Sequence, residues 1–107
     1  MGAEPRQQNG VSVSGTGSGR LTVTGDLTFA TAREAREAGL RSLAAAGNGE
    51  LVVDCSGVTG ADSAGLAVLL EWLAWARRNS RVVTYENLPA SLLAVARISE
   101  VDELLQG

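Results

Sequence analysis

Hydrophobic and polar positions alternate in two short stretches near the start of the chain. Val11 and Val13 alternate with Ser12 and Ser14, and Leu21 and Val23 with Thr22 and Thr24. A period of two predicts half-buried strands, and the glycine-rich GTGSG between them predicts a hairpin turn. Gly25 is expected to end the second strand. The period then lengthens: within DLTFATAREAREAGLRSLAAAGNG, residues Ala32, Ala35, Gly39, Leu43 and Ala46 recur on one helical stripe. Thr31 and Glu34 have the spacing of a capping box, and Gly47-Asn48-Gly49 is a stop signal. The stripe is made largely of small residues, so this helix should lie close against a sheet. LVVDCS, starting at Leu51, is a continuous apolar run of the kind expected in a central strand covered on both faces.

A second helix is expected from Asp62 or Ser63 to about Asn79. On a helical wheel Leu66, Leu69, Leu70 and Leu73 share one arc, which predicts the buried face with Leu69 and Leu70 in the core. Ala64, Ala67, Val68, Glu71, Trp75 and Arg78 fall opposite, and Trp72 lies on the flank. That outer side is too apolar for a merely solvated face. A Trp among small residues and an Arg has the composition of an interaction hot spot; the plainer alternative is that Trp75 folds under a neighbouring loop. RVVTYEN predicts one more strand. Pro89 suits the opening of a third helix through about Ile98, with Leu92, Leu93, Val95 and Ala96 on its apolar face. EVDELLQ predicts a last helical piece that closes the chain with Val101, Leu104 and Leu105. The order β-β-α-β-α-β-α-α predicts one α/β domain, a mixed sheet of about four strands with helices packed mainly on one face. The polar residues 1–10 are expected to be a disordered tail, leaving 11–107 as the domain.

Composition narrows the chemistry. A chain of 107 residues fits one domain with a modest core. The net charge of −3 argues against nucleic acid, whose phosphates need a clustered positive surface. Every basic residue is Arg, which suits bidentate pairing more than loose steering. No apolar run approaches the roughly 18 residues of a membrane span, so direct membrane insertion is not expected. MGAEPRQQNG lacks the apolar segment of a secretory signal. One cysteine, Cys55, leaves no internal disulfide and fits a reducing cytoplasm; beside an apolar run it reads as a small hydrophobe. There is no histidine and no lysine. A Ser-His-Asp or Cys-His arrangement cannot be assembled within the chain, and His-based zinc sites are excluded. The expectation is a non-catalytic protein with no cofactor and no metal.

One stretch remains to be explained, GADSAGLAVLL at 60–70. Asp62 and Ser63 fit a helix cap, a nucleophile with its acid, a phosphorylation site or the tip of a docking surface. Capping is the commonest role of such a pair, and Asp62 would also complement the helix dipole. A cap alone leaves Ala64-Gly65 unexplained. Small residues on the first turn leave that helix end open to a partner, so the motif can cap and dock at once. The expected partner-binding surface is therefore Asp62, Ser63, Ala64, Gly65, Ala67, Val68, Glu71 and Trp75. Asp54 reads as a turn or cap residue at a strand end. Asp26 and Thr28 form a polar loop with no assigned role.

Three pieces, LTVTGDLTFATA, LVVDCSGVTGADSAGLAVLLEWLAWARR and RVVTYENLPASLLAVARISEVDELL, together resemble the STAS domain family. That family includes anti-sigma factor antagonists and regulatory domains of anion transporters. GDLTFATA and DSAGLAVLLEWLAWAR are most similar to its MlaB branch, the STAS subunits of phospholipid transporters of Gram-negative inner membranes. The resemblance implies a cytoplasmic subunit, peripheral at the inner membrane, that binds an MlaF-like ATPase and through it the MlaE permease and MlaD. Ser63 would then lie at the docking surface. The alternative is an anti-sigma factor antagonist in which a partner serine kinase phosphorylates Ser63. Ala64 departs from the antagonists' Asp-Ser-Ser-Gly pattern.

Overall fold

The two alternating stretches form an antiparallel pair, β1 (Val11–Gly15) and β2 (Arg20–Leu27), with Val13 opposite Val23. These elements come from a computed structural model, which describes residues 10–15, 19–47 and 49–106. Residues 1–9 of the proposed tail, the centre of the GTGSG turn, Asn48 and Gly107 lie outside the described residues. After β2 come α1 (Ala32–Ala45), β3 (Leu51–Ala61), α2 (Ser63–Arg78), β4 (Val83–Glu86), α3 (Ala90–Ile98) and α4 (Asp102–Gln106). The sheet order is β1-β2-β3-β4, with β3 parallel to both neighbours. Parallel neighbours need a crossover, and α1 and α2 supply the two.

Gly25 does not end β2. The strand runs on to Leu27 because parallel pairing with β3 continues through Asp26 opposite Gly60 and Leu27 opposite Ala61. Gly25 instead sits at a register shift with φ +93°, where an added Cβ would press on the Gly10 carbonyl. β3 likewise runs past the LVVDCS stretch and through GVTGA to Ala61.

Nor is β3 covered on both faces. Leu51, Val53 and Cys55 are fully buried, whereas Val52 and Asp54 between them are partly open. The same alternation in β2 buries Leu21, Val23 and Leu27, so the helices cover one face and the other is polar. The apolar run was continuous for only three residues, too short to distinguish one covered face from two.

α2 begins and ends as expected, with Asp62 and Asn79 as its caps. Its rotation differs. The buried stripe runs through Gly65, Leu69, Trp72 and Ala76, flanked by Leu66 and Val68, while Leu70 and Leu73 are half-buried. Two close approaches set this rotation. Gly65 lies against the Leu27 carbonyl, and the Trp72 ring lies over Gly39 of α1. The small-residue stripe of α1 therefore admits an indole as well as a sheet. Trp72 Nε1–H also donates to the Arg36 carbonyl at 3.4 Å.

At the other end, Tyr85 of β4 donates its hydroxyl to the Leu69 carbonyl at 2.6 Å, inside the core. Leu92 and Ala96 anchor α3, with Leu93 and Val95 half-buried. In α4 Leu105 is buried, but Leu104 points outward, since a single short turn presents only one face to β4. Among the described residues no helix is long and apolar enough to cross a membrane.

Candidate functional site

The Asp62 side chain sits where three segments meet. Its Oδ1 accepts from the N–H groups of Ala64 and Gly65 at 2.9 and 3.1 Å, two of the orphan donors at the start of α2. Its Oδ2 accepts from the Phe29 N–H at 3.1 Å, in the loop between β2 and α1. Its own N–H donates to the Leu27 carbonyl at 3.3 Å. Partial desolvation pushes this carboxyl up, but the N–H groups of Phe29, Gly65 and Ala64 together outweigh it and hold the pKa below the ordinary value of 3.8. Both oxygens are occupied by backbone donors, so Asp62 is not placed to activate the neighbouring hydroxyl.

The expected capping box does not form. Thr31 is the N-cap of α1 without a side-chain cap bond. Its buried hydroxyl donates to the Asp26 carbonyl at 2.8 Å and accepts from the Thr28 N–H at 3.0 Å. Asp26 in turn accepts from the Thr59 hydroxyl at 2.8 Å. Asp26 is thus the end of β2 and not a loop residue; the turn that follows it is tied back to it through Thr31 and carries Phe29 outward, 83% exposed.

Between α1 and α2 runs a groove of about 380 Å³ lined by Phe29, Ala32, Arg33, Arg36, Ala64, Ala67, Val68 and Glu71. The alanines and Val68 make an apolar floor. Arg36 and Glu71 bridge the two helices at 2.6 Å. Of the expected site residues, Ala64, Ala67, Val68 and Glu71 line this groove, and Ser63 is exposed at the start of α2. Gly65 does not contribute surface: it is buried under β2. Val68 was expected on the open side and is almost wholly buried, reaching the groove only as floor. Trp75 is half-buried against the core instead of standing exposed. Sequence reasoning missed Phe29. Its only mark in the sequence is that it is the single phenylalanine, and it falls outside any apolar period.

Asp54 is neither turn nor cap. It lies within β3 on the open sheet face, accepting from Asn87 Nδ2 and the Ser56 N–H at 3.0 Å each. Arg20 lies 3.9 Å from it and 2.7 Å from Glu86. The Asn87 amide, then Ser56, holds the Asp54 carboxyl below its ordinary pKa. Carboxyls depressed in the folded state stabilise it fully above the unfolded pKa near 3.8, and that stabilisation is lost as pH falls through the folded value. Melting temperature should therefore drop below about pH 4, and more shallowly in Asp62→Ala than in wild type. Parallel profiles in a melt series would remove Asp62 from this role. Cys55, wholly inside the core, is pushed up to about 12 by desolvation and then by Asp54. Among the described residues no group of His, Cys, Asp or Glu is arranged to hold a metal.

A family model described as "Mlab, STAS domain" matches residues 11–106. The chain belongs to the STAS domain family. Solved structures share the fold of this STAS domain. A sulfate transporter family protein from Wolinella succinogenes is 15% identical with a TM-score of 0.65, covering 88% of this chain and 75% of that one. SLC26A9 is 20% identical with a TM-score of 0.61 over 78% of this chain, and the murine Slc26a9 anion transporter in its inward-facing state is 21% identical with a TM-score of 0.58 over 80%. The STAS domain spans only 16% and 14% of those two longer chains. No curated protein matches it significantly. STAS domains generally act through partner proteins and are generally non-catalytic.

Proposed function

We propose that this STAS domain is a non-catalytic subunit that docks on the ATPase of an ABC phospholipid transporter, an MlaF-like protein. Through that ATPase it would sit with the MlaE-like permease and MlaD at the cytoplasmic side of the inner membrane. There it supports assembly and activity of a complex that maintains outer-membrane lipid asymmetry. The observation that carries this reading is the agreement with the MlaB-type model along nearly the whole domain. The apolar groove beside an exposed Ser63 supports it, because among the described residues no element covers that face.

In this reading Ser63, Ala64, Ala67 and Glu71 touch the partner, Val68 forms the floor, and Asp62 and Gly65 shape the helix start. Trp75 contributes from the flank. Ser63→Arg should weaken binding to the cognate ATPase subunit on the order of tenfold or more, because bulk and charge must be desolvated in a fitted contact. Ser63→Thr keeps the hydroxyl and should bind as wild type. The measurement is calorimetric titration alongside melts of the same variants. Equal affinity in all three removes Ser63 from the interface, and failure of the wild-type chain to co-purify with the ATPase removes the reading.

The exposure of Ser63 also favours a second reading, an anti-sigma factor antagonist gated by phosphorylation. Stoichiometric phosphate transfer to Ser63 from a co-encoded serine kinase, absent in Ser63→Ala, would establish it in place of the first.

A further inference from the structure

The Asp62 carboxylate divides its two oxygens between two separate segments. Oδ1 holds the first turn of α2, and Oδ2 holds the backbone of Phe29. Phe29, 83% exposed, lines the same groove as Ala32, Ala64, Ala67 and Val68. We propose that Phe29 is the anchoring side chain of the docking face and that Asp62 is the residue that positions it. The partner then reads the β2–α1 loop and the start of α2 as one surface. This rests on the reading of that face as the seat of the ATPase subunit.

The groove also specifies what occupies it. It runs between two helices and has no polar group converging on its floor, unlike a small-molecule pocket. On its rim Arg36 is already closed by Glu71 at 2.6 Å. Arg33 is 90% exposed and only 3.8 Å from Glu37, a loose contact. The occupant is therefore an amphipathic helix of the ATPase subunit that lays apolar side chains beside Phe29 and offers a carboxylate to Arg33. A large exposed aromatic lining such a groove can supply much of the contact area, as hot-spot residues do.

Asp62→Asn separates positioning from folding. Asparagine caps a helix about as well as aspartate, so its side-chain oxygen can remain on Ala64 and Gly65. Its amide nitrogen then faces the Phe29 N–H, donor against donor, and that bond is lost. In hydrogen exchange on the free chain, the Phe29 amide should exchange faster in Asp62→Asn while those of Ala64 and Gly65 stay protected. In titrations with the cognate ATPase subunit, Phe29→Ala should bind on the order of tenfold or more weakly at an unchanged melting temperature. Asp62→Asn and Arg33→Glu should each weaken binding in the same direction. If Ser63→Arg weakens binding while Phe29→Ala and Asp62→Asn match wild type, the role of Phe29 is overturned and the docking reading stands. If the wild-type chain itself does not bind the ATPase subunit, both fall together.

Discussion

Trp72→Ala is expected to lower stability by about 3–5 kcal/mol, the range for truncating a large buried aromatic. A domain of this size has only about 5–15 kcal/mol in total, so the variant should stand close to its unfolding threshold. The indole is fully buried and is the largest of the wholly buried side chains. It fills the space that Gly39 leaves on α1, and its Nε1–H is the donor to the Arg36 carbonyl. Truncation removes the contact between α1 and α2 along with the buried area. Trp72→Phe keeps most of that area and loses the hydrogen bond, so it should fall between the two. Urea unfolding measures both, and a midpoint unchanged in Trp72→Ala would place the ring outside the core.

Gly65→Ala tests the opposite error, too much atom instead of too little. Placed on a helix interior with open space around it, alanine would stabilise by about 1 kcal/mol through propensity alone. Here its Cβ would run into the Leu27 carbonyl oxygen, with the carbonyl carbon at 2.8 Å. Both atoms belong to the backbone of β2 and cannot swing aside as a side chain would. Either the start of α2 lifts or the end of β2 moves, and the Asp62 N–H bond to the same carbonyl goes with it. The expected loss is about 3 kcal/mol, at the upper end for overpacking. Partner binding should fall with it, since the helix start is displaced. A rise in melting temperature would show that the start of α2 has room for a Cβ and overturn this role of Gly65.

These two residues also show how far the sequence could be read. The ends of α2 were legible because capping is local: Asp62 and Asn79 act on amides and carbonyls a few residues away. Its rotation was not, because it depends on which surface lies opposite. Four leucines are the strongest apolar signal in the helix, and Leu66 and Leu69 are buried, yet Gly65, Trp72 and Ala76 share the buried stripe while Leu70 and Leu73 are only half-buried. That choice is imposed by Leu27 and Gly39, residues distant in sequence. The order of strands and helices followed from periodicity, whereas the length of β3 did not. GVTGA has turn-like composition, and only its pairing with β2 keeps it extended. Thr31 carried the spacing of a capping box, but its hydroxyl is recruited by Asp26 and Thr28 before it can cap. Part of the candidate site was legible as the outer side of α2. Phe29 was not, because a loop residue has no period to mark it and its position is set by a carboxylate 33 residues away.

The burial of Cys55 gives the domain a built-in clock. The chain has a single thiol, and it lies between β2 and β4 at zero exposure with its pKa raised to about 12. Alkylating reagents act on thiolate, so labelling must wait until the sheet parts from its helices. When reclosing outpaces labelling, the rate reports the population of opened molecules, and so the free energy of opening, without any introduced probe. A protein that binds the closed form slows that rate by the factor its concentration and affinity dictate. The native cysteine can thus weigh a docking partner by mass action, from a position the partner never touches.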